Sequence, residues 1–389
     1  MRRLIRICGD LSLYLPHKLR RMYIYEQPDW PNFTWNKEEI LSLVSTIGHR
    51  QGRLIGRMES LGFGFQTEAS LESMTLEVLK SNEIEGEILD KDEVRSSIAR
   101  KLGLDLAGLV QSDRHVDGVV EVMLDATHHF REALTSERLF AWHAALFPTG
   151  RTGMQKIVVG KWRNNSPDDP MQVVSGPMGK ERIHFEAPDS TRVENEMNQF
   201  LNWFNSDTEA NALVKAAIAH LWFVTIHPFD DGNGRLARTI TDMLLTRADG
   251  IPQRFYSISA QIRIERKGYY EILEKTQSGS TDITAWLTWF LECLNRALTS
   301  SENRLSKILY KAKYWDKLKD QRLNERQHKM INKLLDEFEG KLTSSKWAKI
   351  CKCSQDTASR DIQDLMTKGI LEKEAAGGRS TSYTLVAIA

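Results

Sequence analysis

The sequence predicts a mainly α-helical fold with one β-hairpin and a small helical domain at its C-terminal end. Three observations carry this reading. Apolar residues recur at three- and four-residue intervals along most of the chain. β-Branched and aromatic residues pair up around a turn at one place near the middle, and a heavily charged stretch sets residues 327–389 apart. At 389 residues there is room for two or three domains, each able to bury a core. The net charge of +1 leaves no global footprint for nucleic acid or an anionic membrane. Cys8, Cys293, Cys351 and Cys353 are too few and too scattered for a disulfide framework, which points to a reducing interior.

Residues 1–22 form a basic arm. Arg2, Arg3, Arg6, Lys18, Arg20 and Arg21 surround LSLYL, which is too short for a secretory core, so cytoplasmic residence is expected. No stretch approaches the roughly 20 apolar residues of a membrane span.

Residues 23–115 read as a helical N-terminal region that opens on the aromatic, proline-rich segment YIYEQPDWPNFTW. Leu71, Met74 and Val78 keep helical spacing, and Gly86 is suited to end that helix in left-handed geometry, so Glu85 falls in its last turn. A carboxylate is unfavourable at the negative end of a helix. A cationic partner would explain its placement, and Arg238 is the candidate.

The core is expected at residues 116–298. Within it, MQVVSG (Met171–Gly176) and RIHFEAP (Arg182–Pro188) flank a turn at Pro177–Lys180 and read as a hairpin, whose exposed edge could pair with an extended segment of another protein. Lys215–Ile226 is an apolar run that reads as a buried helix. It ends at His227, because Pro228 disfavours helical geometry in the residue before it. Leu236, Ile240, Met243 and Leu244 mark a second helix starting near Gly234 or Arg235. Residues 299–326 read as a solvated linker helix. Residues 327–389 hold three short helices, followed by strand-like arms around Gly377 and Gly378, the pattern of a winged helix-turn-helix.

Between the two core helices lies HPFDDGNGRLAR, His227–Arg238, in which each residue type suits phosphate chemistry. A helix start offers unpaired N–H groups and a positive dipole end, and Gly232 and Gly234 let a phosphate approach the main chain. Arg235 and Arg238 are three apart, on one helical face, where guanidinium forks grip phosphate oxygens. Asp231 is a hard oxygen ligand suited to Mg2+, and a neutral His227 can accept a proton from an attacking hydroxyl. A Walker-type loop fits less well, since no strand precedes the segment and no GK[ST] follows.

HPFDDGNGRLAR resembles the signature of the Fic family at every motif position: histidine, proline, aromatic, any residue, acid, then GNGR and a second arginine. The resemblance spans roughly Tyr23 to Leu298. It implies a helical core with a β-hairpin flap, and a magnesium-dependent protein adenylyltransferase that passes AMP from ATP to a hydroxyl of a target protein, or of itself. By resemblance His227 is the base, Asp231 the metal ligand, and Gly232, Asn233, Gly234, Arg235, Leu236, Ala237 and Arg238 hold ATP. The flap residues Val174, Ser175 and Gly176 would line the nucleotide, with Tyr269 and Tyr270 beside the nucleoside. A related branch with lysine in place of Gly234 transfers the terminal phosphate instead, so glycine favours AMP transfer.

SNEIEG is similar to the family's inhibitory motif, with Ser81, Glu85 and Gly86 in its defined positions. That likeness implies that Glu85 pairs with Arg238 and obstructs ATP. Dimerisation is likewise a family expectation. Other readings use the same residues: transfer of another phosphorylated group, removal of AMP, or an ATP-sensing transcriptional regulator. For residues 327–389 two readings stay open: contact with DNA through Lys352, Arg360, Lys368 and Arg379, and contact with protein, including a second copy.

Overall fold

Two helices and the glycine turn between them form the centre of the larger part of the molecule. The computed structural model describes residues 4–7 as backbone, and residues 22–106, 108–177, 180–207, 211–336, 338, 340–374 and 381–388. The helices in chain order are α1 (Lys37–Glu59), α2 (Phe63–Ile84), α3 (Lys91–Lys101), α4 (Arg114–His128), α5 (Ser136–Leu146), α6 (Val193–Asn205), α7 (Ala212–Ile226), α8 (Asn233–Asp249), α9 (Ile258–Ile264), α10 (Arg266–Gln277), α11 (Thr284–Lys317), α12 (Glu325–Leu335), α13 (Ser344–Cys351) and α14 (Gln355–Thr367). The strands are β1 (Leu4–Ile7), β2 (Arg151–Thr152), β3 (Gln155–Lys156), β4 (Gln172–Ser175), β5 (Arg182–Glu186), β6 (Leu371–Lys373) and β7 (Tyr383–Leu385). Two units result: Met1–Ser60 with Gln66–Glu302, and Leu61–Phe65 with Asn303–Ala389.

In the first unit α7 is the central helix. Every residue from Ala216 to Ile226 is buried, as a helix apolar on all sides requires. Asn211 caps its start by accepting from Leu213 N–H. α8 packs along α7, while α4 packs on α8, α5 and α3, and α6 covers α7. A buried polar chain ties three of these helices: Tyr269 hydroxyl to His220 Nε2 at 2.8 Å, and His220 Nδ1 to Thr241 Oγ1 at 2.9 Å. Thr241 spends its own proton on Ala237 O, so His220 Nδ1 is the donor and Nε2 accepts from Tyr269.

The hairpin lies where the sequence places it. β4 and β5 run antiparallel, with Gln172 opposite Glu186 and Ser175 opposite Arg182. Of the basic arm only residues 4–7 and 22 are described. Residues 4–7 form β1, which pairs parallel with β4, Leu4 opposite Gln172 and Ile7 opposite Ser175. The strand order β1-β4-β5 puts β4 in the centre, so the hairpin edge expected to receive another chain carries this chain's own backbone.

In the second unit, Tyr314, Leu318, Met330, Ile331, Trp347, Ile362, Leu365 and Ile370 form the core. Three helices precede an antiparallel ribbon of β6 and β7, with Leu371 opposite Leu385 and Lys373 opposite Tyr383. The linker differs from expectation. Residues 299–317 continue α11 rather than starting a separate helix, and Leu305, Ile308 and Tyr314 are buried in it. Leu305 and Ile308 keep helical spacing, but the charged residues around them mask it. Gly377, Gly378 and Arg379 lie outside the described residues. Among the described residues no helix is long and apolar enough to cross a membrane.

Gly118 of α4 lies hard against α5, because a Cβ there would run into the Ala145 carbonyl. Gly118→Ala should therefore destabilise the protein by about 1–3 kcal/mol through overpacking. A urea midpoint equal to that of wild type would contradict this close approach.

Candidate functional site

His227 follows the last turn of α7 with φ 53 and ψ 57, a left-handed conformation uncommon for a residue with a side chain. What holds it there is a buried arginine that sequence reading did not single out. Arg163 donates Nε–H to His227 O at 2.7 Å and Nη2–H to Pro188 O at 2.5 Å, and its backbone N–H bonds Pro228 O at 2.9 Å. His227 Nδ1 lies 3.1 Å from Val224 O, a carbonyl, so Nδ1 carries the proton in the neutral ring. Nε2 is then a lone pair, buried and without a partner among the described residues. Burial lowers the imidazole pKa to about 4 and the Arg163 charge adds to this, while the Val224 carbonyl opposes it.

The loop after His227 is shaped by its own side chains. Asn233 accepts from Phe229 N–H at 3.0 Å and donates to Phe229 O at 2.8 Å, closing the turn with one amide. Asp230 accepts Val158 N–H at 2.9 Å, so the first of the paired acids is bound into the scaffold. Among the described residues the Asp231 carboxylate accepts only Gly232 N–H, at 2.6 Å, and it lies on the cleft wall. Its other carboxylate oxygen has no partner among the described residues. His143, also missed from sequence, stacks on Phe229 at 4.2 Å and binds the Asp231 carbonyl through Nε2 at 3.2 Å. Gly232 has φ 79, and a Cβ there would lie 2.8 Å from the Phe147 ring. It starts α8 with no side-chain cap, leaving first-turn N–H groups for an anion. Leu236 and Ala237 are wholly buried, and Leu236 N–H already bonds Gly232 O at 2.9 Å, so their side chains serve the core.

A cleft opens beside this loop, lined by His227, Asp231 and Gly232–Gly234 on one side and by Val173, Phe185, Tyr269, Tyr270 and Leu273 on others. Val173 faces it, whereas Val174 is completely buried, since adjacent strand residues take opposite faces. Ser175 is 2.6 Å from His184 Nε2, and His184 and Arg182 both bind Glu274 of α10, which ties the flap to the helix carrying the tyrosines. Gly176 sits at the flap turn with φ 96. Tyr269 lines the cleft by its ring, but its hydroxyl is engaged by His220. Tyr270 packs under Arg266 at 5.0 Å. Trp286 is core, donating to Ala217 O at 2.8 Å.

Glu85 also lines the cleft, and its carboxylate is 2.7 Å from Arg238 Nη2. Ser81 completes the contact, accepting Arg238 Nε–H at its hydroxyl and Nη2–H at its carbonyl, both at 2.8 Å. Arg238 is 1% exposed. Burial alone would depress its pKa, and the Glu85 charge reverses this and raises it. The Glu85 carboxylate rests directly against Gly234, where any Cβ would collide with it. Gly86 has φ 87 and ends the Glu85 segment as expected. Sequence reading thus brings together Ser81, Glu85 and Arg238. It misses Arg163, His143 and Glu87, the last 2.9 Å from Arg235. Only Glu87 left a signal, its place directly after the helix-ending glycine.

Comparison with known proteins assigns this geometry to a class. Residues 133–245 match the Fic/DOC family, and residues 23–104 match a domain of unknown function, DUF4172. The chain therefore carries a Fic domain behind an N-terminal DUF4172 segment. It is similar to a protein adenylyltransferase Fic of Nematostella vectensis, 35% identical over 108 residues, covering 27% of this chain and 23% of that one. The corresponding protein of Aedes aegypti is 36% identical over 104 residues, covering 26% and 19%. The chain thus spans under a quarter of the length of these relatives. A Fic family protein from Desulfovibrio desulfuricans G20 shares the fold, with TM-score 0.54 and 21% identity over 92% of this chain and 99% of that one.

His143, His220 and His227 have pKa values lowered by burial to about 4, 3 and 4, from an unfolded value near 6.5. Below pH 6.5 the unfolded chain binds protons that the folded one refuses, so stability is full above that pH and falls as pH drops toward 4. Melting temperatures recorded from pH 7.5 to 4.5 should decline through this window. A flat profile would contradict burial of these rings.

Proposed function

We propose that the protein is an adenylyltransferase that moves AMP from ATP to a hydroxyl side chain of a protein, and that Glu85 restrains it. The observation that carries this reading is His227 Nε2, a buried lone pair beside a cleft whose wall also includes an uncapped helix start. In this reading the terminal phosphates of ATP lie against the N–H groups of Asn233–Arg235, with Arg235 and Arg238 as grips. The base lies between Val173 of the flap and Tyr270. A target hydroxyl attacks the α-phosphorus, its oxygen bonds phosphorus as the bond to the β-phosphate oxygen breaks, His227 Nε2 takes the proton, and pyrophosphate leaves. Because the His227 pKa is about 4, the base form prevails throughout the neutral range.

Asp231 suits magnesium, which favours one carboxylate plus phosphate oxygens over an all-protein cage. Held there, the ion would neutralise charge on the phosphates. Glu85 opposes binding in two ways: it occupies Arg238, and it holds a negative charge on the cleft wall where the terminal phosphate would lie.

Intact mass of the full chain after incubation with ATP and magnesium tests this. Glu85→Gly should gain AMP, on itself or on added protein, severalfold faster than wild type. His227→Ala should lower the rate by roughly a hundredfold or more, the scale of losing a general base. Equal rates for Glu85→Gly and wild type would overturn the latch. A different mass addition, or loss of AMP from a modified protein, would overturn the AMP-transfer direction.

The C-terminal unit supports a winged-helix reading through its order of three helices and a ribbon. Of the expected DNA contacts, Lys368 is committed to Asp364 and to the Arg322 carbonyl, while Lys352 and Arg360 are exposed. With Asp361 of α14 held by Arg326 of α12, the charge favours protein contact over DNA. The full chain should leave duplex DNA unshifted at low salt. A salt-sensitive shift would reverse this assignment.

A further inference from the structure

We infer that Glu87 is a second inhibitory carboxylate, which holds Arg235 away from the nucleotide as Glu85 holds Arg238. The inference rests on reading the cleft as an ATP site.

Helix-end geometry makes the pairing possible. Gly86 N–H bonds Glu83 O at 3.1 Å and Glu87 N–H bonds Asn82 O at 3.1 Å, the two bonds of a Schellman motif with Gly86 left-handed between them. This turn sends the side chains on either side of the glycine to two arginines one helical turn apart on α8. Glu85 reaches Arg238 at 2.7 Å and Glu87 reaches Arg235 at 2.9 Å. Asn82 adds a longer bond to Arg235 Nη1 at 3.4 Å.

Arg235 does not line the nucleotide cleft. It lies over the Phe147 ring at 4.7 Å and lines an adjoining open pocket, which shares Glu85 and Asp231 with that cleft, together with Glu87 and His115, whose Nε2 is 2.5 Å from the other Glu87 oxygen. Burial would raise the Glu87 pKa, but His115 and Arg235 outweigh it and lower it, so the carboxylate stays charged. Each arginine keeps one buried N–H without a partner among the described residues, Nε of Arg235 and Nη1 of Arg238. The latch leaves both guanidinium groups short of an acceptor, and phosphate oxygens would supply it.

Equilibrium binding of ATP and of AMP, with magnesium, separates this role from a structural one. Full-length His227→Ala protein, which does not turn over, serves as background. Adding Glu87→Gln to Glu85→Gly should tighten ATP binding roughly threefold to tenfold, the scale of releasing one partly exposed charge pair. AMP, which lacks the terminal phosphates, should bind unchanged. Glu87→Asp keeps the charge but shortens its reach, so it should tighten ATP binding by an intermediate amount. It replaces Glu87→Gln if that variant melts early. ATP binding left unchanged or weakened by Glu87→Gln, or ATP and AMP affinities shifting together, would overturn the inference alone. Failure of Glu85→Gly itself to bind ATP would overturn the ATP-site reading, and this inference with it.

Discussion

Arg238 has almost no contact with water, and a guanidinium in that position must find acceptors or leave. Three are supplied from one helix end: the Ser81 hydroxyl, the Ser81 carbonyl and the Glu85 carboxylate. That requirement joins α2, in the DUF4172 segment, to α8, in the Fic segment, and it explains why a carboxylate stands at the unfavourable end of a helix. Breaking a fully buried pair costs about 3–5 kcal/mol. Glu85 is 28% exposed, so the cost here is smaller.

The loop beside it shows the same economy. One backbone angle, the left-handed His227, turns the imidazole into the cleft, and the groups that fix it are all buried: Arg163 on the carbonyl, Val224 on Nδ1, Asn233 across the turn. Val224 and Asn233 also line the cleft, and Arg163 does not. The chemistry expected of Nε2 therefore depends on residues whose work is to deny the ring any other conformation or partner.

How much of this was legible in the sequence follows from where each interaction lies along the chain. The helices around HPFDDGNGRLAR were readable because burial of α7 leaves an unbroken apolar run, and because Pro228 and the two glycines punctuate it. A cationic partner for Glu85 was readable because propensity argued against Glu85 where it stands, and the resemblance to the family's inhibitory motif pointed to Arg238. Arg163 was not readable. It lies in an irregular segment, 64 residues from the carbonyl it holds, and long-range contacts from loops leave no periodic trace. The linker was misjudged for the opposite reason, since the buried Leu305, Ile308 and Tyr314 of α11 are scattered among lysines and other charged residues. The occupied edge of β4 came from an arm whose composition suggested no strand.

On the proposed reading the Glu85 contact and the nucleotide would compete for the same groups, and this would set the character of the restraint. A guanidinium bared of Glu85 inside the protein is costly, so opening is unfavourable unless an anion arrives, and on the proposed reading that anion is the triphosphate. Restraint of this kind needs no large rearrangement: exchanging a carboxylate for phosphate oxygens at Arg238 would suffice. Gly234 then has a role beyond letting phosphate approach. A side chain there would displace Glu85 whether or not nucleotide was bound, so the glycine that favours AMP transfer by family resemblance is also the residue that leaves room for the latch.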